Sequence, residues 1–210
     1  MNELSEETKK TLLSIIDDLL LDTTSRASEI TLYNFISYNR SFTMELFSQN
    51  IEDYLDYMIS QHITSSFSIE LEKLIVDFCE VLIQNQGGLI LNAPKQYDLK
   101  FRLSNDVEYW IDIKSNNDQY CTKHQTIIDE HKEKAEREGK IYKLYLYDDE
   151  KPSDNDYTLN GSDFWALITG FENARVEILR LINGSANKIS ISSIIKETKN
   201  RLLNEWRMQD

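Results

Sequence analysis

The stretch from Tyr97 to Ser115, YDLKFRLSNDVEYWIDIKS, decides how this 210-residue chain is read. Two runs rich in aromatic and branched side chains, about Tyr97 to Leu103 and about Val107 to Lys114, flank Ser104-Asn105-Asp106, a polar tripeptide of the kind that joins hairpin strands. If Leu103 pairs with Val107 across that turn, Asp98 falls opposite Asp112, and opposed residues of an antiparallel ladder share a face. Lys114, two residues on, joins them because side chains alternate along a strand. One face therefore carries Asp98, Lys100, Arg102, Glu108, Trp110, Asp112 and Lys114. The other carries Leu99, Phe101, Leu103, Tyr109, Ile111 and Ile113 and is expected as core. The first is too polar to be expected there.

Two carboxylates side by side repel, and a cation between them favours the ionised form of both. Oxygen ligands of this kind suit a hard divalent ion such as magnesium, which keeps several waters and takes few protein carboxylates. A lysine one pleat along suits orienting or deprotonating an attacking water, or neutralising charge that develops on a phosphate. The combination points to hydrolysis of a phosphodiester.

Asp98 followed by Asp112-Ile113-Lys114 on the next strand resembles the catalytic signature of the PD-(D/E)xK nuclease superfamily, to which most type II restriction endonucleases belong. Pro94 stands four residues before Asp98, with Lys95-Gln96-Tyr97 between them, where the pattern has the two adjacent. An acid, any residue, then lysine also occurs at Glu7-Thr8-Lys9, Glu130-His131-Lys132, Asp149-Glu150-Lys151 and Glu197-Thr198-Lys199, in polar helical or loop-like sequence. Only Asp112-Ile113-Lys114 ends an apolar strand with a second Asp opposed to it. The resemblance implies an α/β, restriction-endonuclease-like fold, a mixed central sheet flanked by helices, and magnesium-dependent cleavage of double-stranded DNA. It implies Asp98 and Asp112 as metal ligands, the Ile113 main-chain carbonyl as a further ligand, and Lys114 as the residue that positions or activates the water. A helix before the hairpin often supplies another acid in this superfamily, and Glu72 is the position carried over. GSDFWALITG (161–170) is similar to the region after the catalytic core in some type II restriction enzymes.

With 40% hydrophobic residues the chain can bury a sizeable core, and six glycines and two prolines favour long helices. Cys79 and Cys121 form no CxxC pair, the first ten residues carry charge without an apolar signal core, and no run is long enough to cross a bilayer. A cytoplasmic protein with no membrane partner is expected. The net charge of −13 weighs against a nucleic-acid partner, since basic surface is the usual footprint of DNA binding. That acidity is uneven: residues 1–90 hold 15 acids against 5 basic residues, while residues 91–123 hold five of each. The hairpin region is the least acidic part of the chain.

In chain order, a capping Ser5 with early acids opens a helix to about Leu21, Asp22 to Ser25 breaks it, and further helices are expected over Ser28–Phe47 and around Ile51–Ile59. Another runs from Ser65 to about Asn85. On it Glu70, Lys73, Asp77 and Glu80 line up as a wet face, while Glu72 shares the line of Ile69, Val76, Cys79 and Ile83 expected to face the core. After the hairpin, Ser115–Gln119 reads as the loop that caps the next helix, or as amides of Asn116, Asn117 and Gln119 that read base edges, and the helix from Thr122 to Glu138 offers Lys123, His124 and Lys132 to phosphates. His124 and His131 have no metal-ligand spacing and are expected at the surface. Gly139 stops that helix, Ile141–Tyr147 alternates as a strand, Asp148–Asn160 is expected as loop, and helices follow from Gly161, from Ala174 and over Ser190–Met208.

The expectation is a single nuclease domain over residues 1–210, its helical N-terminal part at 1–64 and its α/β catalytic core at 65–210. Its activity is that of a magnesium-dependent type II restriction endonuclease, with Asp98, Asp112, Lys114 and Glu72 as catalytic residues. A palindromic site calls for a two-fold homodimer. The rival readings are a repair or junction-resolving nuclease of the same fold, and a non-catalytic acidic binding or regulatory protein.

Overall fold

The computed structural model describes residues 3–33, 47, 50–92, 96–115, 122–147, 155–186, 188 and 190–208, with 122–124 and 186 described by backbone alone. Along the chain come α1 (Glu6–Glu29), α2 (Ile51–Asn85), β1 (Leu89–Ile90), β2 (Leu99–Arg102), β3 (Glu108–Lys114), α3 (Thr122–Arg137), β4 (Ile141–Leu146), β5 (Thr158–Leu159), α4 (Gly161–Thr169), α5 (Ala174–Ala186) and α6 (Ile191–Arg207). The hairpin takes the register read from its turn, with Leu99 against Ile111 and Arg102 against Glu108. Leu103 N–H donates to the Val107 carbonyl at 3.1 Å, and Asp106 N–H to the Leu103 carbonyl at 3.0 Å. Asp106 takes the left-handed conformation (φ 61°), which aspartate tolerates better than most residues, and the Asn105 Oδ1 accepts from Val107 N–H at 3.1 Å.

The fold is α/β, with five strands in the order β1-β2-β3-β4-β5. The first three pair antiparallel, and β3-β4 and β4-β5 pair parallel, so the sheet is mixed. β5 falls within the segment expected as loop: Thr158 and Leu159 pair with Leu144 and Tyr145, and a two-residue strand is too short to carry an alternation. Residues 148–154 of that segment lie outside the described residues.

The middle of the hairpin's polar face, Lys100, Trp110 and Asp112, is buried, against the expectation that this face stays out of the core. α3 lays Ile128 and Ala135 over Tyr97, Trp110, Tyr142, Leu144 and Leu146. The reason lies in the next strand. β4 sets Tyr142, Leu144 and Leu146 beside Trp110, Asp112 and Lys114, which extends the face with apolar side chains, and the crossover helix of a parallel pair covers the sheet there. Lys100 is accommodated because its ammonium lies 3.4 Å from the Trp110 ring centroid and 4.5 Å from that of Tyr97. On the opposite face Leu99, Phe101, Ile111 and Ile113 are fully buried, and Tyr145 stacks on Phe164 with centroids 3.7 Å apart. Trp165 meets Phe164, Tyr145 and Phe78 edge to face.

Three helical expectations are corrected. α1 runs unbroken through Asp22–Ser25, because the Thr23 and Thr24 hydroxyls donate to the Leu19 and Leu20 carbonyls at 2.9 Å and so satisfy themselves within the helix. The helix expected over Ser28–Phe47 does not begin at Ser28, which closes α1, and residues 34–46 lie outside the described residues. The two helices expected over 51–85 are one, in which Ser68 likewise donates to the Thr64 carbonyl at 3.0 Å.

The chain divides into two compact units, Met1–Ile15 with Glu72–Asn183, and Ile16–Leu71 with Gly184–Asp210. The first holds the sheet. The second is helical, with a core of Ala27, Ile30, Leu32, Leu55, Ile59, Ile63, Leu202 and Leu203. There Arg201 closes α1 by donating to the Ala27 and Ile30 carbonyls, cationic donors being favoured at a helix C-terminus. α2 passes from one unit to the other at Leu71/Glu72, so no single stripe describes its buried side. Glu70, expected on the wet face, is buried and ion-paired with Arg26, while Ile69, expected toward the core, is 62% exposed. Among the described residues no helix is long and apolar enough to cross a membrane.

Phe164 is fully buried in the aromatic cluster. Phe164→Ala should lower the unfolding free energy by about 3–5 kcal/mol. Asn160, whose side chain caps α4 by accepting from Asp163 N–H, should cost only about 1 kcal/mol when changed to Ala. Urea unfolding of both variants measures the difference.

Candidate active site

Asp98 precedes β2 by one residue, and continuing the observed register sets it across from Asp112. Its Oδ2 accepts the Ile113 N–H at 2.7 Å and the Lys114 ammonium at 2.8 Å, which fastens the entry of β2 to the end of β3. Asp112, 3% exposed, is held from the other side. Its Oδ2 lies 2.7 Å from His131 Nδ1 on α3 and accepts from the Tyr142 hydroxyl on β4 at 2.8 Å. Tyr97 braces the histidine: its hydroxyl donates to the His131 carbonyl at 3.1 Å, and its ring lies 4.6 Å from the imidazole and 4.8 Å from Trp110.

The electrostatics follow from burial and charge. Burial pushes the Asp112 carboxyl above its ordinary pKa, and the bonds from His131 and Tyr142 pull it back only in part. For Lys114 burial acts to lower the pKa, but the charges of Asp98, Glu72 and Asp112 outweigh it and hold the ammonium above the usual lysine value. Burial, then the Asp112 charge, pushes Tyr97 up to about 12 and carries Tyr142 well above the ordinary phenol range. Both tyrosines are therefore protonated donors at neutral pH.

Thus Asp98, Asp112 and Lys114 come together, and Glu72, half-buried on α2, is close enough for its charge to act on Lys114. Ile113 enters through its N–H. Among the described residues both aspartates accept their hydrogen bonds on Oδ2 alone, which leaves each Oδ1 as a hard oxygen donor. Among the described residues no three His, Cys, Asp or Glu side chains are grouped so as to hold a metal ion. A pair of carboxylate oxygens is nonetheless a donor set that suits magnesium, which completes its shell with water. Asn116, Asn117 and Gln119 lie outside the described residues, and of Lys123 and His124 only the backbone, on the first turn of α3, is described.

The sequence reading missed two members of the cluster. His131 was expected at the surface, yet its side chain is 12% exposed and bonded to Asp112. The signal was in the helix: 128, 131 and 135 follow one another at spacings of three and four, so His131 shares the line of Ile128 and Ala135. Tyr142 is in register with Trp110 in the parallel pair, hence on the face of Asp112, which needed the strand pairing to be known.

Because the folded protein binds a proton at Asp112 more readily than the unfolded chain, stability falls as pH rises from the ordinary carboxylate range through the raised pKa. In buffer free of divalent cations, Asp112→Asn should gain stability relative to the unsubstituted protein between about pH 4 and about pH 7. Thermal unfolding at the two pH values measures it, and a pH-independent difference would count against the burial cause. No protein-family model matches the chain, and no curated protein matches it either.

Proposed function

We propose that the chain is a magnesium-dependent endonuclease of the type II restriction kind, hydrolysing phosphodiester bonds of double-stranded DNA at a specific site. What carries the reading is the meeting of Asp98, Asp112 and Lys114 at the open end of the hairpin, where β2 begins and β3 ends. In this proposal the fold is restriction-endonuclease-like and the active species a homodimer, one cluster per DNA strand. Asp98 and Asp112 hold the cation through the oxygens their protein donors leave, with the Ile113 carbonyl as a further ligand and Glu72 as an accessory acid. When bound, the magnesium ion polarises a phosphoryl oxygen as a Lewis acid.

Lys114 divides two roles that the sequence left open. A lysine whose pKa is raised is a poor proton acceptor at neutral pH, so its work is electrostatic. Its ammonium orients the attacking water and neutralises charge gathering on the phosphate. Contacts to the duplex fall to Asn116, Asn117 and Gln119 at base edges and to Lys123 and His124 at phosphates, in the least acidic part of the chain. A second reading, a non-catalytic protein whose acidic surface binds a basic partner, is favoured by the 15 acids against 5 basic residues in 1–90.

With magnesium, the purified protein should cut unmethylated plasmid into discrete bands. Asp112→Ala should abolish cutting with the fold retained, and Lys114→Ala should slow it by about 10²–10³-fold. Diffuse degradation would favour a repair or junction-resolving nuclease of the same fold. Absence of cutting with any divalent ion would favour the acidic binding protein and overturn the nuclease reading.

A further inference from the structure

We infer that His131 and Tyr142 are positioning residues that fix the Asp112 carboxylate and present its Oδ1 to a divalent cation. The inference rests on the cation site proposed above. A carboxylate held by one donor still turns about its side-chain bonds. Here two donors arrive at one oxygen from separate elements, His131 from α3 at 2.7 Å and Tyr142 from β4 at 2.8 Å. Together they set the plane of the carboxylate and decide which oxygen remains. With Asp112 ionised, the imidazole must carry its proton on Nδ1, because a carboxylate only accepts. The position of the ring is secured by Tyr97, whose hydroxyl bonds the His131 carbonyl and whose ring packs on the imidazole.

Asp98 is handled in the same way by different means. Its Oδ2 is taken by a main-chain N–H and an ammonium from β3, at 2.7 and 2.8 Å. Among the described residues each acid thus has one oxygen committed to the protein and one left over. Residues behind the ligands that orient them in this manner typically contribute 10–100-fold to metal affinity.

Manganese binding, followed by electron paramagnetic resonance on the full chain, tests the assignment. The unsubstituted protein should bind the ion, and Tyr142→Phe and His131→Ala should each weaken binding by about 10-fold or more. His131→Asn, which keeps an N–H donor, should recover part of the loss, and the KM for DNA at saturating manganese should not move. Tyr142→Phe keeps the ring and its packing, so it remains readable even if His131→Ala fails to fold. Manganese affinity unchanged in Tyr142→Phe, and in His131→Ala where that variant folds, overturns the positioning role and leaves the cation site standing. Absence of binding by the unsubstituted protein, with Asp98→Asn and Asp112→Asn indistinguishable from it, overturns the cation site and the positioning role together.

Discussion

Everything around the hairpin is arranged to keep one carboxylate, Asp112, inside the protein. An ionised acid in the interior is costly unless its oxygens are bonded, and here the bonds come from α3 and β4 rather than from the hairpin itself. The sheet, its crossover helix and the cluster therefore depend on one another. Moving α3 by one turn, about 5.4 Å, would carry His131 away from Asp112 and leave that acid buried with a single donor. The aromatic surround of Tyr97, Trp110 and Tyr142 raises the cost of the charge and at the same time supplies its donor, because a tyrosine deep in such a setting stays protonated.

Lys114 and Asp98 show the opposite balance. Both are about one-third exposed, so their ion pair is screened by solvent and adds little to stability. Its consequence is geometric. Asp98 lies outside the regular strand, and the two bonds to β3 extend the hairpin register by one position at its open end. A residue at a strand end, tied by backbone and ammonium together, keeps its alignment with Asp112 without being buried.

The sequence made the hairpin register legible because the turn tripeptide left a single in-phase pairing, and it marked the end of α3, where Gly139 supplies positive φ. The paired acids and the lysine follow from that register alone. What was not legible depends on contacts between distant segments. The middle of the face judged too polar for core is buried because β4, some thirty residues later, adds apolar neighbours to it. Glu70 looked solvated on its own helix and is buried because Arg26, 44 residues earlier, meets it. His131 was set aside because it was weighed as a metal ligand, while its bond is to a carboxylate. The threonines at 23 and 24 resembled a break only while their hydroxyls lacked the carbonyls one turn back.

The charge count of the cluster bears on how an acidic chain meets a polyanion under the proposed function. With Asp112 ionised, Asp98, Asp112 and Glu72 against Lys114 leave two negative charges in excess, within a distance over which salt screens weakly. Alone, such a cluster repels a phosphate. One divalent cation cancels the excess, and the ammonium of Lys114, held charged by the same acids, then faces the phosphate unopposed. On this account the cation is needed for the phosphate to approach as well as for the bond to break. On the same account the acids that hold Lys114 charged, once neutralised, no longer stand against the phosphate.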